Sequence, residues 1–148
     1  MITPEKLFFY VYGAEKEDIH YVDEQTYRVF DEFNRKWLTL TRLRDLEKQL
    51  ADHTFVVAGT HNEQEHFIDA YTQQGDELYY VTLYVDLESN KASFIDQSIR
   101  KDEGGYIFLG EDEPVRWMKP TMSRYMKTHP HYRLYFVTQG IEWEGEWE

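Results

Sequence analysis

Short runs of apolar residues, most of them the length of a β-strand, alternate with polar turns along the chain. Glycine marks the end of several runs, as in LFFYVY before Gly13 and TFVVAG at Gly59. Eight runs predict strands, at 7–12, 19–23, 27–31, 54–59, 78–85, 92–97, 106–109 and 133–140. The pattern therefore predicts a fold rich in β-structure.

Two segments that follow a tryptophan carry helical spacing. After Trp37, leucines at 40, 43, 46 and 50 form one apolar stripe, and a threonine at 39 or 41 can cap the first turn. After Trp117, residues 120–129 place two methionines and a tyrosine on one helical face before Pro130 ends the helix. In this interpretation each tryptophan precedes a helix.

A third helix is predicted between these two regions, over Asn62–Gly75. Asn62 stands three residues before Glu65, which resembles a capping box, and Gly75 is placed where a helix often ends. Apolar residues at 67, 68 and 71 form the face that such a helix would bury.

The two halves of the chain show the same order of predicted elements: three strands, a tryptophan, a helix and a strand. Trp37 matches Trp117, and Arg44 matches Arg124. Apolar strand patterns align readily by themselves, so the match depends on the tryptophans. We predict an α+β fold with an internal duplication of a β-β-β-α-β unit, the two halves packing about a pseudo-twofold axis.

This duplication divides the chain into three parts of one compact globule. Residues 1–60 form the first repeat, 61–76 the connecting helix, and 77–148 the second repeat with an acidic, aromatic C-terminal strand. A repeat of this size buries little surface alone, so the halves are expected to share a core.

Residues 67–141, from FIDAYTQQGDELYYVTL through the tryptophan to YFVTQG, carry a strand pattern and a polar-capped helix. This C-terminal half resembles a group of small uncharacterised proteins from Gram-positive bacteria and their phages. The resemblance implies an accessory protein of a phage or mobile element, and it transfers no role to any particular residue.

Charge narrows the classes of partner. The chain has 28 acidic and 16 basic residues and a net charge of −12, which disfavours nucleic acid and anionic membranes and favours a basic protein partner. The absence of cysteine excludes disulfides, thiolate nucleophiles and cysteine-ligated zinc. Because no apolar stretch approaches about 18 residues, we expect a soluble cytoplasmic protein.

Histidines are the first candidates for acid–base or metal chemistry. His61 and Glu65 would share one helical face, and His129 and His131 would share one side of an extended segment. Neither pair has a third ligand in view, so both also fit a polar surface. We expect no metal and no other cofactor.

The last eight residues, IEWEGEWE, alternate apolar and acidic positions with a period of two. This pattern predicts an edge strand whose glutamates prevent edge-to-edge pairing. The alternative is a segment that docks a basic, apolar surface of a partner. The candidate partner-binding residues are Glu142, Trp143, Glu144, Glu146 and Trp147.

The sequence carries no catalytic motif, so two functions from different classes stay open. The first is a non-enzymatic interaction or regulatory module that binds a protein partner through an acidic surface. The alternative is a small-molecule binder or small enzyme with an aromatic-lined cleft between the repeats. In that cleft His20, His53 or His131 would be the titratable group.

Overall fold

The computed structural model of the protein describes residues 3–50, 53–74, 77–100, 106–107, 118, 121–122, 124, 133–138 and 141–144. The N-terminal elements are α1 (Pro4–Tyr12), a 3-10 turn (Lys16–Asp18), β1 (Ile19–Tyr21), β2 (Thr26–Asp31), β3 (Lys36–Arg42), α2 (Arg44–Gln49) and β4 (Thr54–Thr60). The later strands are β5 (Glu65–Gln74), β6 (Glu77–Asp86), β7 (Lys91–Arg100), β8 (Tyr106–Ile107), β9 (Arg133–Thr138) and β10 (Ile141–Glu144).

All of these strands join one sheet. Strands β1 to β7 lie side by side in chain order, and each pairs with the next in antiparallel fashion. Strand β9 pairs parallel to β7 and antiparallel to β10, and β8 also pairs with β7. A mostly antiparallel sheet with packed helices confirms the predicted α+β class.

Helix α1 contains the LFFYVY run, so the strand predicted at 7–12 is wrong. The Thr3 hydroxyl accepts the Lys6 N–H, Pro4 occupies the first turn, and Gly13 ends the helix at φ 67°. The buried positions follow helical spacing: Leu7, Phe8, Val11 and Tyr12.

The segment after Trp37 begins as strand β3, so the helix predicted from the leucine stripe is wrong for its first part. Leu38 and Leu40 are buried and Trp37 is exposed, which is the period of a strand. Helix α2 is limited to Arg44–Gln49, where Leu46 is fully buried. The leucine spacing had combined residues of two elements.

Within the segment 62–75, where a connecting helix is predicted, residues Glu65–Gln74 form strand β5 instead. Asn62 does cap a turn, because its side-chain oxygen accepts the N–H groups of Gln64 and Glu65. That turn closes the hairpin between β4 and β5 and starts no helix. From Glu65 onward the residues pair with both β4 and β6.

Each face of the sheet has its own core. On one face α1 covers β2 to β6, and the fully buried Phe8 contacts the rings of Tyr27 and Phe55. On the other face α2 packs with two buried methionines, Met118 and Met122, against β4 to β7. Met118, Thr121, Met122 and Arg124 are helical, in agreement with the predicted helix around residues 120–129.

The internal duplication is not confirmed. Strand β4 pairs antiparallel with β3, whereas its predicted counterpart β9 pairs parallel with β7. The segment 7–12 is helical, whereas its predicted counterpart 78–83 lies in β6. Trp117, the second half of the tryptophan match, lies outside the described residues.

Candidate functional site

A cavity of about 480 Å³ lies between the C-terminal end of α1 and the sheet face that α1 covers. We call it the Asp69 cavity. Its lining consists of Val11, Tyr12, Asp31, Phe33, Asn34, His61, Phe67, Asp69, Tyr80, Thr82 and Tyr84.

The fold brings these residues together from four places in the chain. Helix α1 supplies one wall, the β2–β3 turn and the β4–β5 turn supply two more, and β5 and β6 form the floor. Across the floor Asp69 stands opposite Thr82, and Phe67 stands opposite Tyr84. Because alternate residues of a strand share a face, Phe67, Asp69 and Tyr71 all lie on the α1 side.

Asp69 is a buried carboxyl group with one unpaired oxygen. It exposes 6% of its surface, and its Oδ2 accepts the Tyr71 hydroxyl at 2.8 Å. Its Oδ1 is also buried and accepts no hydrogen bond of normal geometry within the described part of the chain, although the Thr82 hydroxyl interacts with the carboxyl group. Burial raises the pKa of Asp69 to about 6, against the opposing effect of the Thr82 and Tyr71 hydroxyls.

Tyr71 is fixed as the donor in this pair. Burial raises the pKa of Tyr71, and the Asp69 carboxylate adds to the effect, so the phenol stays protonated. Its ring stacks on Tyr80, with ring centroids 4.9 Å apart. The ring stacking therefore holds the Tyr71 hydroxyl in position to donate to the Asp69 carboxylate.

Asp31 is the second buried carboxyl group of the cavity, with 2% exposure, and both of its oxygens accept hydrogen bonds within the β2–β3 turn. It accepts the N–H groups of Phe33 and Asn34 at 3.0 and 3.1 Å and the Asn34 side-chain amide at 2.8 Å. Asp31 therefore stabilises the β2–β3 turn, whereas Asp69 has a free acceptor.

His61 lies at the rim of the cavity. Its ring centroid is 4.7 Å from that of Phe67, and its Nδ1 is 3.3 Å from the Lys36 Nζ. Partial burial, and then the positive charge of Lys36, lower the pKa of His61 despite the Glu65 carboxylate. The imidazole is therefore neutral at pH 7, and Nδ1 accepts the Lys36 ammonium.

Two of the candidate metal ligands weighed from the sequence, His61 and Glu65, lie near this rim, but each has another partner. Glu65 accepts the Tyr84 hydroxyl, and His61 faces Lys36. Among the described residues no group of three or more His, Asp or Glu side chains is arranged to hold a metal ion. His129 and His131, the other candidates, lie outside the described residues.

The Asp69 cavity lies between α1 and the sheet, and its buried titratable group is Asp69. Histidines are the titratable groups predicted for the alternative cleft. His20 packs against Trp37 on strands β1 and β3, His53 is exposed in a turn, and neither lines the cavity. His131 lies outside the described residues.

The C-terminal pattern is a strand over its described part. Ile141–Glu144 form β10, which pairs with β9 at the end of the sheet. Glu146 and Trp147 lie outside the described residues. A partner-binding role for Glu142, Trp143, Glu144, Glu146 and Trp147 stays a prediction.

A second depression, of about 430 Å³, lies on the opposite face of the sheet. We call it the Thr39 trough, and its lining includes Thr39, Thr41, Thr60, Ile68 and Leu87. It contains no carboxylate among the residues described there. Because its volume is similar and its chemistry differs, the Thr39 trough is a suitable control for binding to the Asp69 cavity.

Comparison with known proteins gives no match to any family model, to any curated protein or to any solved structure. Within the described residues, no helix is long and apolar enough to span a membrane.

Proposed function

We propose that this protein binds a small organic molecule in the Asp69 cavity. The observation that carries the proposal is the unpaired, buried Oδ1 of Asp69 in the lining of an aromatic cavity. A buried carboxylate oxygen without a donor destabilises the folded chain, because it has lost its hydration and gained no hydrogen bond. A ligand that donates to Oδ1 would remove this cost.

The rest of the lining suits a ligand with a flat apolar body. Five of the eleven lining residues are Phe or Tyr: Tyr12, Phe33, Phe67, Tyr80 and Tyr84. A cavity of about 480 Å³ is within the usual size of small-molecule sites, which combine apolar walls with a few polar anchors.

The polar groups of the cavity favour binding over acid–base catalysis. Asp31 accepts hydrogen bonds from its own turn, His61 accepts one from Lys36, and Tyr84 donates one to Glu65. General acid–base catalysis uses positioned groups that exchange protons with the substrate. The unpaired oxygen of Asp69 gives the site one clear polar anchor, which orients a ligand.

A cavity-filling substitution tests the proposal. Thr82→Phe places a strand-compatible ring in the cavity, and Thr39→Phe places the same ring in the Thr39 trough. With 2-phenylethanol as the probe, calorimetry is expected to show millimolar or tighter binding to the wild-type protein. Thr82→Phe should weaken that binding by about tenfold or more, and Thr39→Phe should leave it unchanged.

Two results would count against the proposal. One is the absence of heat and of any chemical-shift change with 2-phenylethanol at high millimolar concentration. The other is loss of binding in Thr39→Phe with normal binding in Thr82→Phe, which would place the probe on the opposite face of the sheet.

A further inference from the structure

We infer that the ligand of the Asp69 cavity carries an ammonium group, which forms an ion pair with the Asp69 carboxylate. This inference rests on the proposed function, since it names the chemical class of the ligand for the same site. Three features of the cavity support it: the charge of its lining, the helix end that forms one wall, and the number of aromatic residues in the lining.

The charge of the lining is negative. Two of the eleven lining residues are carboxylates, Asp31 and Asp69, and the described lining contains no lysine or arginine. Lys36 lies just outside and contacts His61, which is neutral for the reasons given above. An anionic ligand would meet two carboxylates here, whereas a cation meets complementary charge.

Helix α1 adds to this negative potential. Val11 and Tyr12, which form its wall of the cavity, belong to the last turn of the helix. The C-terminal end of a helix carries a partial negative charge, and this last turn contains no basic side chain to neutralise it. A cationic ligand would fill that role.

The aromatic lining suits the same class of ligand. The faces of phenol and phenyl rings attract cations, and the attraction increases where water is excluded. An ammonium group also offers three N–H donors, so one can reach Asp69 Oδ1 while the others remain available to the rings or to carbonyl groups. A neutral hydroxyl would pair with Oδ1 but would not compensate the buried charge.

The ion pair predicts a pH dependence. Asp69 pairs with the Tyr71 hydroxyl on its own strand and stands opposite Thr82 on β6. The titratable residues that share its cavity are Tyr80 on β6, Tyr84 on β6, Tyr12 on α1, Asp31 at the end of β2 and His61 in the β4–β5 turn. The pKa of Asp69 is raised to about 6 and that of His61 is lowered from its ordinary value, so both groups gain a proton as the solution is acidified. Protonation of Asp69 removes the attraction, and protonation of His61 adds repulsion. Ammonium selectivity should therefore decrease as the pH falls through about 6.

Three probes that share a phenylethyl group and differ in their polar head group test the inference on the full chain: 2-phenylethylamine, 2-phenylethanol and 3-phenylpropanoate. Calorimetry at pH 8 is expected to show the amine binding at least about tenfold more tightly than the alcohol, with no detectable binding of the carboxylate. In Asp69→Asn the amine and the alcohol should bind equally, within about threefold. Should this variant fail to fold, the amine-to-alcohol ratio of the wild-type protein at pH 8 and pH 5 gives the same answer.

The outcomes separate the inference from the function on which it rests. Equal affinity of the wild-type protein for amine and alcohol at pH 8 would overturn the ammonium assignment and leave the cavity as a binding site. An amine preference that persists unchanged in Asp69→Asn, or at pH 5, would also overturn it. Failure of all three probes to bind would overturn the proposed function.

Discussion

Asp69→Asn is expected to make the ligand-free protein more stable at neutral pH, by on the order of 3 kcal/mol. Burial raises the pKa of Asp69 from 3.8 to about 6, so the folded state binds the proton more tightly than the unfolded state. The stability that the proton on Asp69 contributes to the wild-type protein is fully present below about pH 4, and it is lost as the pH rises through 6. The neutral amide of asparagine has no such dependence.

Urea unfolding at several pH values measures this effect. The difference in free energy of unfolding between Asp69→Asn and wild type should grow by on the order of 3 kcal/mol between pH 4 and pH 7. A constant difference across this range would show that Asp69 has an ordinary pKa. A substitution that stabilises the protein and also removes its preference for the amine over the alcohol is expected when a functional residue is destabilising.

Asp31→Asn is the matched control, because it neutralises the other buried carboxyl group of the same cavity. The Asp31 carboxylate accepts two backbone N–H groups and the Asn34 amide, so its replacement should destabilise the β2–β3 turn by about 1–3 kcal/mol. At neutral pH the two substitutions should therefore change the free energy of unfolding in opposite directions. A change in the same direction for both would contradict the distinction between a paired and an unpaired carboxylate.

Phe8→Ala is expected to destabilise the protein by about 3–5 kcal/mol, as large-to-small changes in a core do. The Phe8 side chain is 0% exposed. Its ring centroid lies 5.3 Å from that of Tyr27 and 6.5 Å from that of Phe55. Its loss would leave a void between α1 and the sheet. Thermal and urea unfolding measure the change.

Phe9→Ala is the control for this substitution at the neighbouring position. Phe9 is 48% exposed on the outer side of α1, so its truncation should change the free energy of unfolding by less than about 1 kcal/mol. Neighbouring residues of a helix point about 100° apart, so Phe8 can face the core while Phe9 faces away from it. If Phe9→Ala were as destabilising as Phe8→Ala, the described packing of α1 would be wrong.

The strands of the sheet could largely be predicted from the apolar pattern. The runs that became β2, β4, β6 and β7 alternate or lie between clear turn signals, and their strands are confirmed. Helix α1 could not be predicted from its six consecutive apolar residues, because a continuous run has no period. Its start at Thr3 and Pro4 and its end at Gly13 were the available signals.

Strand β5 shows a different limit of the sequence. Asn62 and Glu65 have the spacing of a capping box, and an asparagine caps a hairpin turn with the same side-chain oxygen. Local chemistry therefore could not separate the two outcomes. The segment is a strand because it pairs with β4 on one side and with β6 on the other. This pairing depends on distant parts of the chain, so local sequence does not reveal it.

The candidate site was missed for the same reason. Asp69 stands between Phe67 and Tyr71, so its place among buried residues becomes visible only when β5 is read with a period of two. An aspartate on the buried face of a strand is a signal of function or of a specific partner. The wall that encloses it comes from α1, almost sixty residues away in sequence.

The position of a bound probe tests the central claim most directly. In a methyl-labelled full chain saturated with 2-phenylethanol, we expect intermolecular NOEs from the probe's ring protons to the methyl groups of Val11 and Thr82. These two groups lie on different elements, and both line the Asp69 cavity. NOEs confined to Thr39, Ile68 and Leu87 would place the probe in the Thr39 trough and would contradict the claim that the Asp69 cavity is the binding site.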